Sequence, residues 1–190
     1  MNQIPLIRTL VFGGNRSGKS AHAEQLAAVT GREVIYLATA QAGDSEMQTR
    51  IEQHRARRPA VWRTVESPLA LGAAITEWSA PQRVLLIDCL TVWLSNLLFS
   101  EIRDYPEIGA IEPPAAFAEQ RAAFLHALAS AKGEVILVSG EVGMGIVPQG
   151  ALSRWFVDEA GRLNQDVAAI CERAVFVAAG LPLLMKGAAC

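Results

Sequence analysis

Several features that mark other classes of protein are scarce in this 190-residue sequence. No apolar run reaches the length of a membrane span, and the N-terminus lacks the apolar core of a signal peptide. The net charge is −2, so there is no basic excess to support nucleic-acid binding. The three cysteines are an odd number without metal-ligand spacing, which indicates reduced thiols. We therefore expect a cytoplasmic protein with no membrane span and no nucleic-acid partner.

What the sequence does contain is an alternation of strand-like apolar runs with helical periodicity. Apolar residues make up 51% and charged residues 19%, which predicts a single folded domain over residues 1–190. The alternation predicts an α/β fold, a mostly parallel sheet flanked by helices, with ligands at the carboxyl ends of the strands. Residues 174–186 predict an antiparallel hairpin at the sheet edge.

Two predicted helices have clear start signals. One runs from Asp44 or Ser45 to about Arg57, where the acidic or hydroxyl side chain would cap its first turn. The other would begin at Ser67 and Pro68 and run to about Trp78, because serine is a good N-cap and proline suits the first turn.

A glycine-rich segment near the N-terminus carries the strongest functional signal. It follows an apolar run over residues 6–12 and precedes a helical pattern over residues 21–29, the context of a phosphate-binding loop (P-loop). Backbone N–H groups of such a loop point at a polyphosphate, Lys19 reaches the terminal phosphates, and the Ser20 hydroxyl ligates Mg²⁺. The sequence therefore predicts binding of a nucleoside triphosphate. The residues of this loop are Gly13, Gly14, Asn15, Arg16, Ser17, Gly18, Lys19 and Ser20.

Asp88 is a second candidate ligand for Mg²⁺. It closes an apolar run over residues 83–87, at the end of a predicted central strand. The alternative is that Asp88 caps the helix that follows. We favour magnesium, because P-loop proteins require a second carboxylate to organise the metal ion.

His54 lies in an unusually basic part of the predicted helix. Arg50 lies one helical turn before it, and Arg57 and Arg58 flank the next turn. Like charges repel, so a bound polyphosphate would relieve this cluster, and a neutral imidazole there could attack a phosphorus atom. The alternative is a surface histidine in a basic helix, since charge clusters are often structural.

The segment 140–148 follows another predicted strand and contains three glycines and one carboxylate. It is either a mobile lid that contacts the substrate or a long turn. Its composition does not choose between these interpretations.

Several of these segments together resemble one enzyme family. Arg-Ile-Glu-Gln-His at 50–54 and Glu-Val-Gly-Met-Gly-Ile-Val-Pro at 141–148 are its most specific strings. With the P-loop and residues 58–66, 86–98 and 161–165, they are similar to the bifunctional adenosylcobinamide kinase/adenosylcobinamide-phosphate guanylyltransferases of cobalamin synthesis. The resemblance extends from about Leu10 to Lys186.

The resemblance implies a RecA-like P-loop fold and a two-step enzyme. The first step phosphorylates adenosylcobinamide with ATP or GTP, and the second transfers GMP from GTP to that phosphate through a covalent GMP–histidine at His54, releasing pyrophosphate. It also implies a homo-oligomer, a trimer being known in the family. The nucleotide-binding residues that it implies are 13–20, Ala38, Thr39, Ala40, Arg55, Ala56, Arg57, Arg58, Glu66 and Asp88.

One departure from the family and two competing interpretations accompany this resemblance. Ser139 and Gly140 stand where the family commonly has an asparagine before Glu141, so a side-chain amide is missing there. One competing interpretation is another P-loop kinase for a small molecule, in which His54 is structural. The other is an ATP-gated module that binds DNA, which the slightly acidic net charge disfavours.

Overall fold

A computed structural model describes residues 6–41 and 58–188, which form seven strands and five helices. The strands are β1 (Arg8–Gly13), β2 (Glu33–Ala38), β3 (Arg63–Glu66), β4 (Arg83–Asp88), β5 (Glu134–Gly140), β6 (Arg173–Ala178) and β7 (Leu181–Lys186). The helices are α1 (Lys19–Val29), α2 (Leu71–Trp78), α3 (Leu90–Leu98), α4 (Ala116–Ala129) and α5 (Ala151–Ile170). The helix predicted over residues 44–57 lies outside the described residues.

All seven strands belong to one sheet, in the order β3-β2-β4-β5-β1-β6-β7. Every neighbouring pair is parallel except β6 and β7, which form an antiparallel hairpin at one edge. Parallel neighbours need crossover connections. Described helices lie in these connections except in the one from β2 to β3, most of which lies outside the described residues. The predicted fold class is therefore confirmed, including the hairpin at the edge of the sheet.

Helices cover both faces of this sheet. Leu85 of β4 belongs to a core formed with α2, α3, α4 and α5, in which Trp93 is fully buried. The next residue, Leu86, belongs to the opposite core, formed with Ala27 of α1. Burial on both faces explains why the central strands are continuously apolar. None of the described helices is long and apolar enough to span a membrane.

One helix starts later than the sequence predicts, and another contains a glycine in its interior. Helix α2 begins at Leu71, not at Ser67, because the Ser67 N–H donates to the Ala38 carbonyl at 2.8 Å and so keeps the chain beside β2. Helix α5 continues through Gly161 without a break. The buried neighbours Ala160 and Leu163 hold this part of the helix against the core, which offsets the low helix propensity of glycine.

The carboxyl ends of the parallel strands meet along one edge of the sheet. Gly13 of β1 pairs with Gly140 of β5, and Ala38 of β2 pairs with both Glu66 of β3 and Asp88 of β4. This register brings the predicted P-loop, the predicted magnesium carboxylate and the 140–148 segment to the same edge.

Candidate active site

The P-loop connects β1 to α1 through a tight turn. Arg16 and Gly18 have positive φ angles of 55° and 95°. The Ser17 N–H donates to the Gly14 carbonyl at 3.3 Å, and the Lys19 ammonium donates to the same carbonyl at 3.0 Å. The first turn of α1 contains no acidic residue, so the positive end of the helix dipole adds to the charge of Lys19. This arrangement favours an anion at the loop.

The turn between β6 and β7 supports the P-loop from one side. The Gly180 N–H donates to the Ser17 carbonyl at 2.8 Å. A Cβ atom on Gly18 would lie 3.1 Å from the Cα of Gly180, and one on Gly13 would lie 2.2 Å from the carbonyl oxygen of Val177. Glycine at these positions therefore permits a backbone approach that any side chain would obstruct.

Asp88 lies at the end of β4, and Thr39 fixes the backbone beside it. Thr39 Oγ1 accepts the Cys89 N–H at 2.8 Å and donates to the Cys89 carbonyl at 2.9 Å. The Thr39 N–H donates to the Asp88 carbonyl at 3.2 Å. Cys89 occupies the N-cap position of α3, so the alternative interpretation of Asp88 as the helix cap is wrong.

The Asp88 carboxylate receives a hydrogen bond from Tyr36, whose hydroxyl lies 3.0 Å from Oδ2. Burial and then the charge of Asp88 raise the pKa of Tyr36 well above its ordinary value. The same two causes raise the pKa of the Cys89 thiol to about 11, while the charge of Lys19 acts in the opposite direction. Tyr36 and Cys89 are therefore protonated at neutral pH, and Tyr36 is a permanent donor to Asp88.

Arg58, where the described chain resumes, packs over Tyr36. Its guanidinium carbon lies 3.4 Å from the ring centroid, a geometry that stabilises by about 0.5–2 kcal/mol. Its Nε lies 3.9 Å from Oε1 of Glu24, and its side chain is only 7% exposed. A continuous set of contacts therefore leads from Arg58 through Tyr36 to Asp88.

The start of the 140–148 segment is held by side chains from two helices. The Gly140 N–H donates to Thr91 Oγ1 of α3 at 2.5 Å, and the Gly140 carbonyl accepts from Asn164 Nδ2 of α5 at 3.2 Å. The Glu141 N–H donates to the carbonyl of Gly13 at 2.9 Å. The segment is therefore joined directly to the first residue of the P-loop.

The glycine that departs from the family pattern fits these surroundings. A Cβ atom on Gly140 would lie 2.7 Å from Thr91 Oγ1, so an asparagine here would require Thr91 to move. In this chain a side-chain amide does reach the end of β5, but it belongs to Asn164 of α5, which donates to the Gly140 carbonyl.

Three residues of this arrangement were not predicted from the sequence: Tyr36, Thr91 and Asn164. Asn164 carries a detectable signal, because it is a polar residue, 8% exposed, at helical spacing from the buried residues of α5. Thr91 and Tyr36 carry none, since their partners lie 49 and 52 residues away in the sequence.

The described members of the predicted site lie along one edge of the sheet. Glu66 is exposed at the end of β3, beside Ala38. His54 and residues 55–57 lie outside the described residues, so their roles stay predictions, as does the lid interpretation of 140–148. The described members are residues 13–20, Ala38, Thr39, Ala40, Arg58, Glu66 and Asp88.

The fold and this edge together define a P-loop nucleotide-binding protein of the α/β class. A solved structure with the same fold is the ATPase EscN from the type III secretion system of enteropathogenic E. coli, at a TM-score of 0.53 and 12% sequence identity. The likeness covers 91% of this chain and 43% of that larger chain, and it concerns the fold alone.

Sequence comparison identifies the family. The profile of the family described as cobinamide kinase / cobinamide phosphate guanyltransferase matches residues 9–185, and the chain belongs to this family. The bifunctional adenosylcobalamin biosynthesis protein CobP of Pseudomonas aeruginosa is 51% identical over 95% of this chain and 98% of its own length. The bifunctional protein CobU of Salmonella typhimurium is 41% identical over 93% of this chain and 98% of its own length.

Proposed function

We propose that the protein phosphorylates adenosylcobinamide with ATP or GTP and then converts the product to adenosylcobinamide-GDP with GTP, in the cytoplasm. The observation that carries this proposal is the family match over residues 9–185, which includes both the P-loop and the histidine motif. Relatives named as bifunctional proteins of adenosylcobalamin biosynthesis align over nearly their whole length, which supports both activities in one chain.

In the kinase step, the P-loop holds the triphosphate of the donor. The substrate hydroxyl oxygen attacks the γ-phosphorus, the bond to the β-phosphate oxygen breaks, and the hydroxyl proton passes to solvent. Lys19 and the backbone N–H groups of residues 13–20 stabilise the charge that develops on the phosphate oxygens. The ammonium of Lys19, already bonded to the Gly14 carbonyl, lies at the loop before the nucleotide arrives.

Ser20 and Asp88 are the proposed holders of Mg²⁺. Their oxygens are the hard ligands that this ion prefers, and both residues lie at the carboxyl edge of the sheet. The Tyr36 hydroxyl bonds one oxygen of Asp88 and so orients the carboxylate. Magnesium, when bound, neutralises charge on the phosphates.

In the guanylyl step, His54 is the proposed nucleophile. A P–N bond forms between its imidazole and the α-phosphorus of GTP as the bond to the β-phosphate oxygen breaks, and pyrophosphate leaves. A phosphate oxygen of adenosylcobinamide phosphate then attacks this phosphorus, and the P–N bond breaks. Ala38, Thr39, Ala40, residues 55–58 and Glu66 are the proposed contacts of this nucleotide.

The described residues that flank the histidine segment in the sequence support this assignment. Ala38, shortly before it, pairs with Asp88, and Arg58, directly after it, packs on the tyrosine that bonds Asp88. Described residues on both sides of residues 42–57 therefore contact Asp88 or its hydrogen-bond partner Tyr36.

The decisive experiment separates the two steps. The protein is incubated with GTP labelled at the α-phosphate and Mg²⁺, without corrinoid, and is then denatured and counted. We expect label that is lost in acid and kept in alkali, its absence in His54→Ala, and its retention in the control His126→Ala. His54→Ala should keep ATP-driven phosphorylation of adenosylcobinamide, because the P-loop is intact.

Two results would contradict the covalent mechanism: label that persists in His54→Ala, or no label in a wild-type protein that binds GTP. Retained phosphorylation without any label would favour the competing P-loop kinase in which His54 is structural.

We also propose that the chain forms a homo-oligomer, as a trimer. Strand β7 supports self-association, because it is the outermost strand of the sheet and its apolar side chains are exposed. These side chains are Leu181, Leu183, Leu184 and Met185.

A further inference from the structure

Residues 142–147, which we call the apolar loop, present uncovered apolar side chains at the carboxyl edge of the sheet. Met144, Ile146 and Val147 are 76%, 98% and 73% exposed. No charged residue occurs from Val142 to Ser153. Isolated exposed apolar side chains are common, but several in one short uncharged segment are typical of a binding surface.

This surface lies beside the phosphate site. The strand that leads into it, β5, pairs with β1 up to the residue pair Gly140 and Gly13. The Glu141 N–H then donates to the Gly13 carbonyl at 2.9 Å, so the apolar loop starts one hydrogen bond away from the P-loop. A molecule whose hydroxyl reached the P-loop phosphates would have the apolar loop as an adjacent surface.

The base of the apolar loop is fixed before any ligand binds. Thr91 and Asn164 hold the backbone of Gly140 from α3 and α5. Oε1 of Glu141 accepts the Gly143 N–H at 2.6 Å, so this carboxylate is bonded to the backbone of the apolar loop. The start of the apolar loop is therefore held in a defined position, which lowers the entropy cost of binding.

We infer that the apolar loop is the docking surface for the corrin macrocycle of the substrate, and this inference rests on the proposed function. A corrinoid carries methyl groups around a large ring, and these need an apolar surface to leave water. The P-loop recognises only phosphate, so a separate surface must orient the macrocycle. Ile146 is the central contact, because it is the most exposed of the three side chains.

The backbone of the apolar loop favours a small molecule over a second copy of the chain. It belongs to no regular element, and it therefore offers no row of unpaired backbone groups for another strand. Strand β7, in contrast, offers both an edge and exposed apolar side chains, and it is the surface that suits a second copy.

The test compares Ile146→Ser with Ile102→Ser, a matched control at an isoleucine that is 109% exposed after the end of α3. Binding of cobinamide to the full chain is measured by equilibrium dialysis with detection of the corrin absorbance, and the KM values for cobinamide and GTP are measured in parallel. We expect Ile146→Ser to weaken cobinamide binding by about tenfold, because one large apolar contact is lost. The KM for GTP and all values for Ile102→Ser should stay within about twofold of wild type.

Three outcomes would overturn the inference. Unchanged cobinamide binding in Ile146→Ser shows that the macrocycle lies elsewhere. A smaller assembly of Ile146→Ser than of wild type, in sedimentation at the same protein concentration, shows that a second copy covers the loop. Absence of cobinamide binding and turnover in the wild type itself would remove the proposed function together with this inference, and so differs from the other two results.

Discussion

The P-loop begins at Gly13 and the 140–148 segment begins at Gly140, and these two glycines pair on the neighbouring strands β1 and β5. The two segments nevertheless differ in backbone structure and in the groups that they present to a ligand. From Gly13 the chain turns tightly and enters α1 at Lys19, with the backbone and one ammonium as its binding groups. From Gly140 the chain runs through ten residues without regular structure before α5 begins at Ala151. One segment is suited to phosphate, and the other presents apolar side chains.

Their glycines show the same contrast. Gly18 has a φ of 95° and approaches the backbone of Gly180, so it meets two separate obstacles to a side chain. Gly145 has an ordinary φ, and the space around a Cβ built on it contains nothing within 4 Å in the described structure. Similar glycine content therefore does not indicate similar function: at Gly18 the geometry requires glycine, whereas at Gly145 the described structure does not.

The largest expected effect tests the charge at the P-loop. Lys19→Ala removes the ammonium that neutralises phosphate charge in the transition state, and we expect kcat/KM for phosphorylation of adenosylcobinamide to fall at least about 1000-fold, or about 4 kcal/mol. Lys132→Ala, between α4 and β5, is the control and should match wild type. A decrease of less than tenfold in a folded Lys19→Ala protein would mean that the backbone alone holds the phosphates.

An intermediate effect is expected when Gly18 and Gly145 are each replaced by alanine. Gly18→Ala should lower the free energy of unfolding by about 2–3 kcal/mol, because a left-handed backbone and a close contact are both forced on alanine. Gly145→Ala should change it by less than about 0.5 kcal/mol. Urea unfolding monitored by circular dichroism measures both values. Equal changes in the free energy of unfolding for the two variants would show that glycine is no more necessary at position 18 than at position 145.

The smallest expected effect concerns the hydrogen bond from the Gly140 N–H to Thr91 Oγ1. Thr91→Val keeps the shape of the side chain and removes the acceptor of the Gly140 N–H, which should cost about 1–2 kcal/mol of unfolding free energy. Thr76→Val is the control, because Thr76 donates only to the Gly72 carbonyl of its own helix. The KM for cobinamide should rise a few-fold in Thr91→Val while the KM for GTP stays constant. Parallel increases in both would mean that Thr91 supports the whole edge and not one segment.

Much of the site could be predicted because its signals are contiguous in the sequence. The P-loop residues are consecutive, and Asp88 is marked by the apolar strand that it ends. The bond from Tyr36 to Asp88 could not be predicted in this way, since it depends on the pairing of β2 with β4. The start of α2 was missed for a related reason: the local preference of Ser67 for a helix cap is overridden by its hydrogen bond to Ala38.

The hydrogen bond from Gly180 to the Ser17 carbonyl gives the P-loop a connection to the edge of the sheet. Gly180 lies in the turn that joins β6 to β7, so order in the outer hairpin and order in the P-loop are thermodynamically linked. A contact that stiffens β7 reduces the conformational entropy that the P-loop loses when a triphosphate binds. By the reciprocity of linkage, a bound triphosphate strengthens that same contact. A partner that ordered β7 would therefore act on the phosphate site through the hydrogen bond from the Gly180 N–H to the Ser17 carbonyl.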